Sequence, residues 1–433
     1  MKKYIKYILV FVIVYLILVL FGSNNTDNIW NYGMAHAIRI GELPYRDFNT
    51  ISTPFFPYLM SLGLFIYDSY GVYLLEQTIL VTILFYYIYK LIGNKTYIFF
   101  SVASLWFFYF IFPSYNFLSF LLIIMILYLD IKKNDSNKLI GFLLGLLLIT
   151  KHSIGIIFLI CSIISTKSIK KSMNRFLYSM IPIVIFLLYL VFNNTFNNFI
   201  DLCFLGISDF ASKNHLFSHY FVDVLLLVSL IYLIYSFIKY RGDKLNYYLL
   251  GSYIFIVPIV DFLHFNFLLL FFTLIILYRF KKKININVNL IIIAIFINSF
   301  IVNLSMIDYL KDYKFSNNKH FRMYLVTKEI DNYIDDILNK YNSYDNSYII
   351  SMDSMFFDIA SDKIITYFDI PLYGNFGHNG LDKMIDKINN SHDTYYFVKK
   401  ETNRQYAMEL YKNIKNNGEY IDSIYDYSIY YFK

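Results

Sequence analysis

The stretch GSNNTDNIWNYGMAHAIRIGELPYRDFNTISTPFFPY, Gly22–Tyr58, separates one long apolar run from a series of others. It carries three acids, Asp27, Glu42 and Asp47, and Gly41 with Pro44 marks a bend just before the last of them. Ahead of it, Tyr7–Phe21 is apolar and follows Lys2, Lys3 and Lys6. That pattern is like a signal peptide, but no small-residue cleavage site follows, which predicts an uncleaved first span. Behind it, apolar runs near membrane-spanning length recur to about Asn303. The expected fold class is therefore an all-α polytopic membrane protein.

The 433 residues are 58% hydrophobic and only 16% charged, against about 25% charged in an ordinary soluble domain. The net charge of +7 calls for no nucleic-acid partner, because most basic residues before position 304 lie in short loops between apolar runs. Cys161 and Cys203 suggest no disulfide framework. If the clusters at Lys90, Lys132, Lys167, Lys239 and Arg279 are all cytoplasmic, the chain crosses an even number of times between each pair. This predicts about 11 transmembrane helices over residues 1–303, with the N-terminus cytoplasmic and the C-terminus outside. Nineteen Lys and Arg before position 304 then fall inside and four, Arg39, Arg46, Lys151 and Lys213, outside. The five histidines of this region, His36, His152, His215, His219 and His264, also fall on the outer side. A site opening outward gives a reason for that bias; a scaffold gives none.

Within this scheme residues 22–71 form the first outer loop, and Phe55–Tyr67 reads as an interfacial helix too short to span. Leu139–Thr166 splits at Lys151-His152-Ser153 into two short helices, a hairpin that turns inside the membrane. Residues 304–433 change character and read as a small extracytoplasmic α/β domain. Strands are expected at Ser347–Ser351, Lys363–Phe368, Thr394–Val398 and Ser428–Phe432, with a helix at Asn403–Asn416. Gly374–Gly380 lacks the spacing of a phosphate loop and reads as a turn.

Several residues in this scheme carry chemistry. Asp27 or Asp47, just above the outer boundary, is placed to accept a proton from an acceptor hydroxyl; together they are placed to share a divalent cation (Mg, Mn or Zn). Asp27 alone also suits a helix cap. Lys151 and His152 interrupt an apolar stretch, which fits either a phosphate site or an ordinary turn. Asp261 and His264 are three apart between greasy runs, which fits substrate or metal binding, or a structural pair. Glu76 is an intramembrane acid whose position favours a structural pairing.

Taken together, Asp27-Asn28, Trp30, Ala35, Gly41-Glu-Leu-Pro-Tyr-Arg-Asp47 and Pro54-Phe-Phe-Pro57 resemble the first-loop motif of the C-type (GT-C fold) integral-membrane glycosyltransferases. These include bacterial aminoarabinose and protein mannosyltransferases. Gly145-Leu-Leu-Leu-Ile-Thr-Lys151-His152 and Ile259-Val-Asp261-Phe-Leu-His264 resemble later family motifs, with histidine for the usual glutamine and without the usual arginine. Asn28 stands where relatives often carry glutamate. The resemblance implies an inverting transferase in the plasma membrane that takes a sugar from a polyprenyl-phosphate donor. The acceptor would be an envelope glycan, lipid or protein. It implies Asp27 as catalytic base, Asp47 as second catalytic acid, and Lys151, His152 and Arg46 as donor-phosphate ligands. The terminal domain would bind the acceptor. A flippase or transporter would instead carry mid-span charges and internal repeats. A polymerase or ligase of lipid-linked glycans would place its large outer loop between spans.

Overall fold

The computed structural model describes residues 2–24, 26–92, 113–133, 136–207, 220–256, 262–280, 313–366, 369–372, 374–400 and 405–433. In chain order the helices of the first part are α1 (Lys2–Phe21), α2 (Thr26–Arg39), α3 (Phe55–Leu64), α4 (Tyr70–Ile92), α5 (Tyr115–Lys132), α6 (Asn137–Leu148), α7 (His152–Ser165), α8 (Ile169–Phe192), α9 (Phe196–Ile200), α10 (Tyr220–Lys239), α11 (Leu245–Ile256) and α12 (Phe262–Phe280). Three of these, α4, α5 and α8, are long and apolar enough to cross a membrane. The expected count of about 11 is not reached among the described residues; the segments expected to hold spans 3 and 11 lie largely in 93–112 and 281–312, outside them. Several other apolar helices are shorter than 18 residues.

The chain packs as two compact units. The first comprises Met1–Val14, Thr78–Phe186 and His215–Lys311. Here α5, α6, α7, α11 and α12 pack in sequence. The expected short hairpin is present: α6 and α7 have 12 and 14 residues, about 18 and 21 Å long at 1.5 Å per residue, against about 30 Å of hydrocarbon. Gly141 and Gly145 admit the backbone of α8 at Arg175 and Ser179, where a Cβ would collide. Basic residues from three sequence clusters meet at one end. Arg175, 1% exposed, donates to Asp130 at 2.5 Å, Lys244 does so at 2.7 Å, and Arg279 pairs with Asp243 at 2.9 Å. Tyr248 adds a bond to Asp130 at 3.0 Å.

The second unit comprises Tyr15–Gln77, Leu187–Asn214 and Asp312–Lys433. Its later elements are β1 (Tyr313–Phe315), β2 (Leu325–Thr327), α13 (Lys328–Tyr341), β3 (Ser347–Ile350), α14 (Ser354–Ser361), α15 (Gly380–Asn389), β4 (Thr394–Lys399), α16 (Gln405–Asn417), β5 (Glu419–Ile424) and β6 (Tyr427–Phe432). The sheet order is β3-β4-β6-β5, parallel between β3 and β4 and antiparallel elsewhere. The alternating inward residues Tyr396 and Val398 of β4 and Tyr430 and Phe432 of β6 pack on Leu410 and Ile414 of α16 and Met384 and Ile388 of α15. The expected strand at Lys363–Phe368 reduces to one bridge, Thr366 to Ile349, with 367 and 368 outside the described residues. The Gly374–Gly380 turn closes around Asp201, which accepts from the His378 amide at 3.2 Å and from Lys383 at 2.9 Å.

Candidate functional site

Helix α2 lies at the centre of the second unit. It ends in a Schellman motif: the Gly41 amide donates to Ile38 O at 3.1 Å and the Glu42 amide to Ala37 O at 3.0 Å. Gly41 supplies the required positive φ of 100°. The chain then folds over itself at Leu43–Phe48. Tyr45 is buried with φ 68°, its hydroxyl donating to Ser52 O at 2.7 Å and its carbonyl accepting from Asn198 at 2.8 Å. This turn aims Asp47. One carboxylate oxygen accepts the Leu43 amide at 2.8 Å, and Arg46 donates from Nε at 2.8 Å and from its terminal nitrogen at 2.6 Å. Arg46 holds the Asp47 carboxyl below its usual range. Asp47 is thus a fixed anion, not a free base.

Arg46 and Asp47 line a cavity of about 200 Å³ together with Met34 and Ala37 of α2, Asp358 of α14, and Thr366 and Asp369. It adjoins an open groove of about 520 Å³ that also reaches Glu42 and Lys387. Trp30 Nε1 donates to Asp369 Oδ1 at 2.9 Å, while Asp369 Oδ2 is buried with no hydrogen-bond partner. Burial lifts the Asp369 carboxyl to about 7 despite the bonds from Trp30 and the Ile370 amide. Burial likewise lifts Asp358 to about 7, although it accepts from Thr366 and two backbone amides. One cavity therefore holds a carboxylate kept ionised and two acids inclined to keep their protons, an arrangement that separates acceptor and donor roles.

Asp27 lies in the first turn of α2, inside the helix and not at its cap, because the helix begins at Thr26. An acid there is favoured by the helix dipole. Its side chain is exposed, and among the described residues it makes no hydrogen bond or ion pair; the surrounding protein nonetheless raises its carboxyl by desolvation. Asp27, Trp30, Met34 and Ala37 fall on one stripe of the helix. Asp27 is six residues from Gly33 at the cavity wall, about 9 Å along the axis. Asn28 is buried, donating to Gly22 O at 3.3 Å and to the Tyr70 hydroxyl at 2.6 Å and accepting from Gln77 at 2.6 Å. A glutamate at this position would place a charge among neutral groups.

The remaining expected site residues are placed as follows. In the first unit, Lys151 Nζ donates to Asn116 at 2.7 Å and sits over the rings of Tyr115 and Phe255 at 5.4 and 5.0 Å. His152 follows it as the first residue of α7. Asp261 lies outside the described residues, as does the side chain of His264. In the second unit, Glu76 accepts the Gly63 amide at 2.7 Å, the structural pairing expected of it.

The structure adds a constellation that reading the sequence did not find. His36, Asp68, His320 and Asp362 bring ligand-type atoms within 4.8 Å of one another. His36 Nδ1 and His320 Nδ1 lie 2.9 and 3.2 Å from Asp68 Oδ2, and their Nε2 atoms lie 3.8 and 3.2 Å from Asp362. Burial acts to raise the Asp68 carboxyl, but the two histidines outweigh it and hold the group well below its usual range. No local motif announces this set, since its members are scattered from position 36 to position 362.

Compared with known proteins, the chain matches no protein-family model, no curated protein and no solved structure.

Proposed function

We propose that this protein is an integral-membrane glycosyltransferase that moves a sugar from a polyprenyl-phosphate carrier to an envelope acceptor. The observation that supports this reading is the division of labour along one stripe of α2. Asp27 is exposed, unpaired among the described residues and raised in proton affinity, the properties wanted in a general base. Farther along, the cavity offers Asp47 as a fixed acceptor and Asp369 as a proton-bearing group, which suits binding of sugar hydroxyls.

In this mechanism Asp27 takes the proton from the acceptor hydroxyl as its oxygen attacks the anomeric carbon. The bond to the carrier phosphate breaks on the opposite face, giving inversion in one displacement. Arg46 serves the donor phosphate, whose departing charge needs cations. Asp47 and Asp369 hold the acceptor. The test is sugar transfer by membranes containing Asp27→Asn at matched expression. A loss of about 100-fold or more is expected for removal of a general base; full retained transfer refutes the assignment. Mass analysis of envelope glycans from a strain lacking the protein would name both substrates.

A further inference from the structure

The stripe of α2 opposite Asp27 and the cavity carries Tyr32, His36 and Arg39, spaced i, i+4 and i+7. His36 is the residue through which this stripe enters the His36–Asp68–His320–Asp362 cluster. We propose that these four side chains bind a zinc-type divalent ion that fastens the His320 turn and the end of α14 to α2.

The first support is the direction of the ring nitrogens. Both nitrogens of His36 and of His320, together with Asp68 Oδ2 and Asp362 Oδ1, are buried and make no hydrogen bond. The two histidine side chains are 1% and 2% exposed. Simple imidazolium–carboxylate pairs would point N–H bonds at the oxygens. Here nitrogen and oxygen approach to 2.9 Å without that alignment, as ligands of a common centre do. Donors about 2.0–2.2 Å from a tetrahedral ion lie roughly 3.4 Å apart; the Nδ1 atoms of both rings lie 2.9 and 3.2 Å from Asp68 Oδ2, and one ligand atom from each of the four residues lies within 4.8 Å of the others. The ion takes one nitrogen from each ring; the other nitrogen still faces a carboxylate, a contact that fixes ring orientation.

The donor set selects the ion. Calcium and magnesium take oxygen ligands, whereas two imidazoles with two carboxylates suit zinc and its first-row neighbours. Two carboxylates balance the charge of a divalent ion, and the outer groups are already placed. Lys319 donates to Asp362 Oδ2 at 2.7 Å, and Arg39 lies 3.4 Å from Asp68.

The backbone supports the same reading. The His320 carbonyl accepts from the Tyr32 hydroxyl at 2.9 Å and the Tyr70 amide at 2.7 Å, and its amide donates to Asn318 at 2.9 Å. Asp362 caps α14 in the left-handed region, φ 55°, where glycine is the usual residue. An aspartate there accepts backbone strain and delivers a carboxylate to the cluster. Because Asp358 of the cavity is one turn earlier on α14, the ion acts as a positioning element for the cavity wall and touches no substrate there.

The test uses the full chain purified in detergent. Elemental analysis is expected to give about one zinc per chain. Chelation should lower the thermal midpoint, and added zinc should restore it. His320→Gln and Asp362→Asn should each lose the metal. If either variant fails to fold, stripping and reloading of the unmodified protein decides alone. The proposal is overturned if that protein holds no transition metal and takes up none stoichiometrically. It is equally overturned if the His320→Gln/Asp362→Asn double variant keeps its zinc.

Discussion

Asp369→Asn tests how the cavity is tuned. The side chain is 7% exposed. Its Oδ1 accepts from Trp30 at 2.9 Å and from the Ile370 amide at 2.7 Å, and Oδ2 has no hydrogen-bond partner. Burial dominates, so the carboxyl rises from 3.8 to about 7. The sign follows from proton counting. Between those two values the folded protein holds a proton that the unfolded chain has released, so stability falls as pH rises through the window and levels off above it. Three units at about 1.36 kcal/mol each give roughly 4 kcal/mol by pH 8 or so. Asparagine keeps the acceptor for Trp30 and carries no charge at any pH. Thermal unfolding in detergent should therefore find the variant's advantage widening between about pH 5 and about pH 8.5 by roughly 3 kcal/mol, the share of that amount that falls above pH 5. A gap no wider at the higher pH would refute the assignment of a buried, proton-retaining acid. Under the proposed function, a fall in sugar transfer alongside the gain in stability is the expected cost of the substitution.

Gly41→Ala should cost about 1 kcal/mol, since φ there is 100° and no atom lies within 4 Å of the added methyl, leaving only backbone strain; chemical denaturation reads it, and Gly41→Asn should recover part of the loss. Arg175→Ala takes from Asp130 its fully buried cation, leaving Lys244 and Tyr248, and should cost about 3 kcal/mol, visible as a lower thermal midpoint. Lys244→Ala should cost less, because that side chain is 33% exposed and Arg175 remains on Asp130.

Features carried by neighbouring residues were legible in the sequence. The break at Lys151, the shortness of α3 and the strands β3, β4 and β6 all follow from local apolar patterning; the strands appear within a residue of expectation and α3 ends three residues earlier than expected. β5 escaped because it is an edge strand whose residues are mostly exposed, so no alternation of burial marks it. The cavity was half legible. Arg46 and Asp47 stand out in the Gly41–Asp47 segment, but Asp369 joins them only through a bond spanning 339 positions to Trp30. The His36 cluster was illegible for the same reason. His36 was visible as one of several histidines assigned to one side, and nothing near it in sequence names His320 or Asp362.

The two stripes of α2 explain why so short a helix carries such mixed residues. Asp27, Trp30, Met34 and Ala37 face the cavity side; Tyr32, His36 and Arg39 face the cluster. Packing alone would have been met by an apolar stripe and a polar one. Instead each stripe holds a polar group with a partner among the last 130 residues, Trp30 with Asp369 and His36 with Asp362, so each ties the helix to that part of the chain on its own. The consequence is directional. Loss of His320 should loosen α14 and so disturb Asp358 in the cavity, whereas Trp30→Phe removes one bond to Asp369 and should leave metal content unchanged. Zinc content and cavity chemistry should therefore respond together to the first change and separately to the second. A Trp30→Phe protein that lost its metal would show that the two stripes do not act independently.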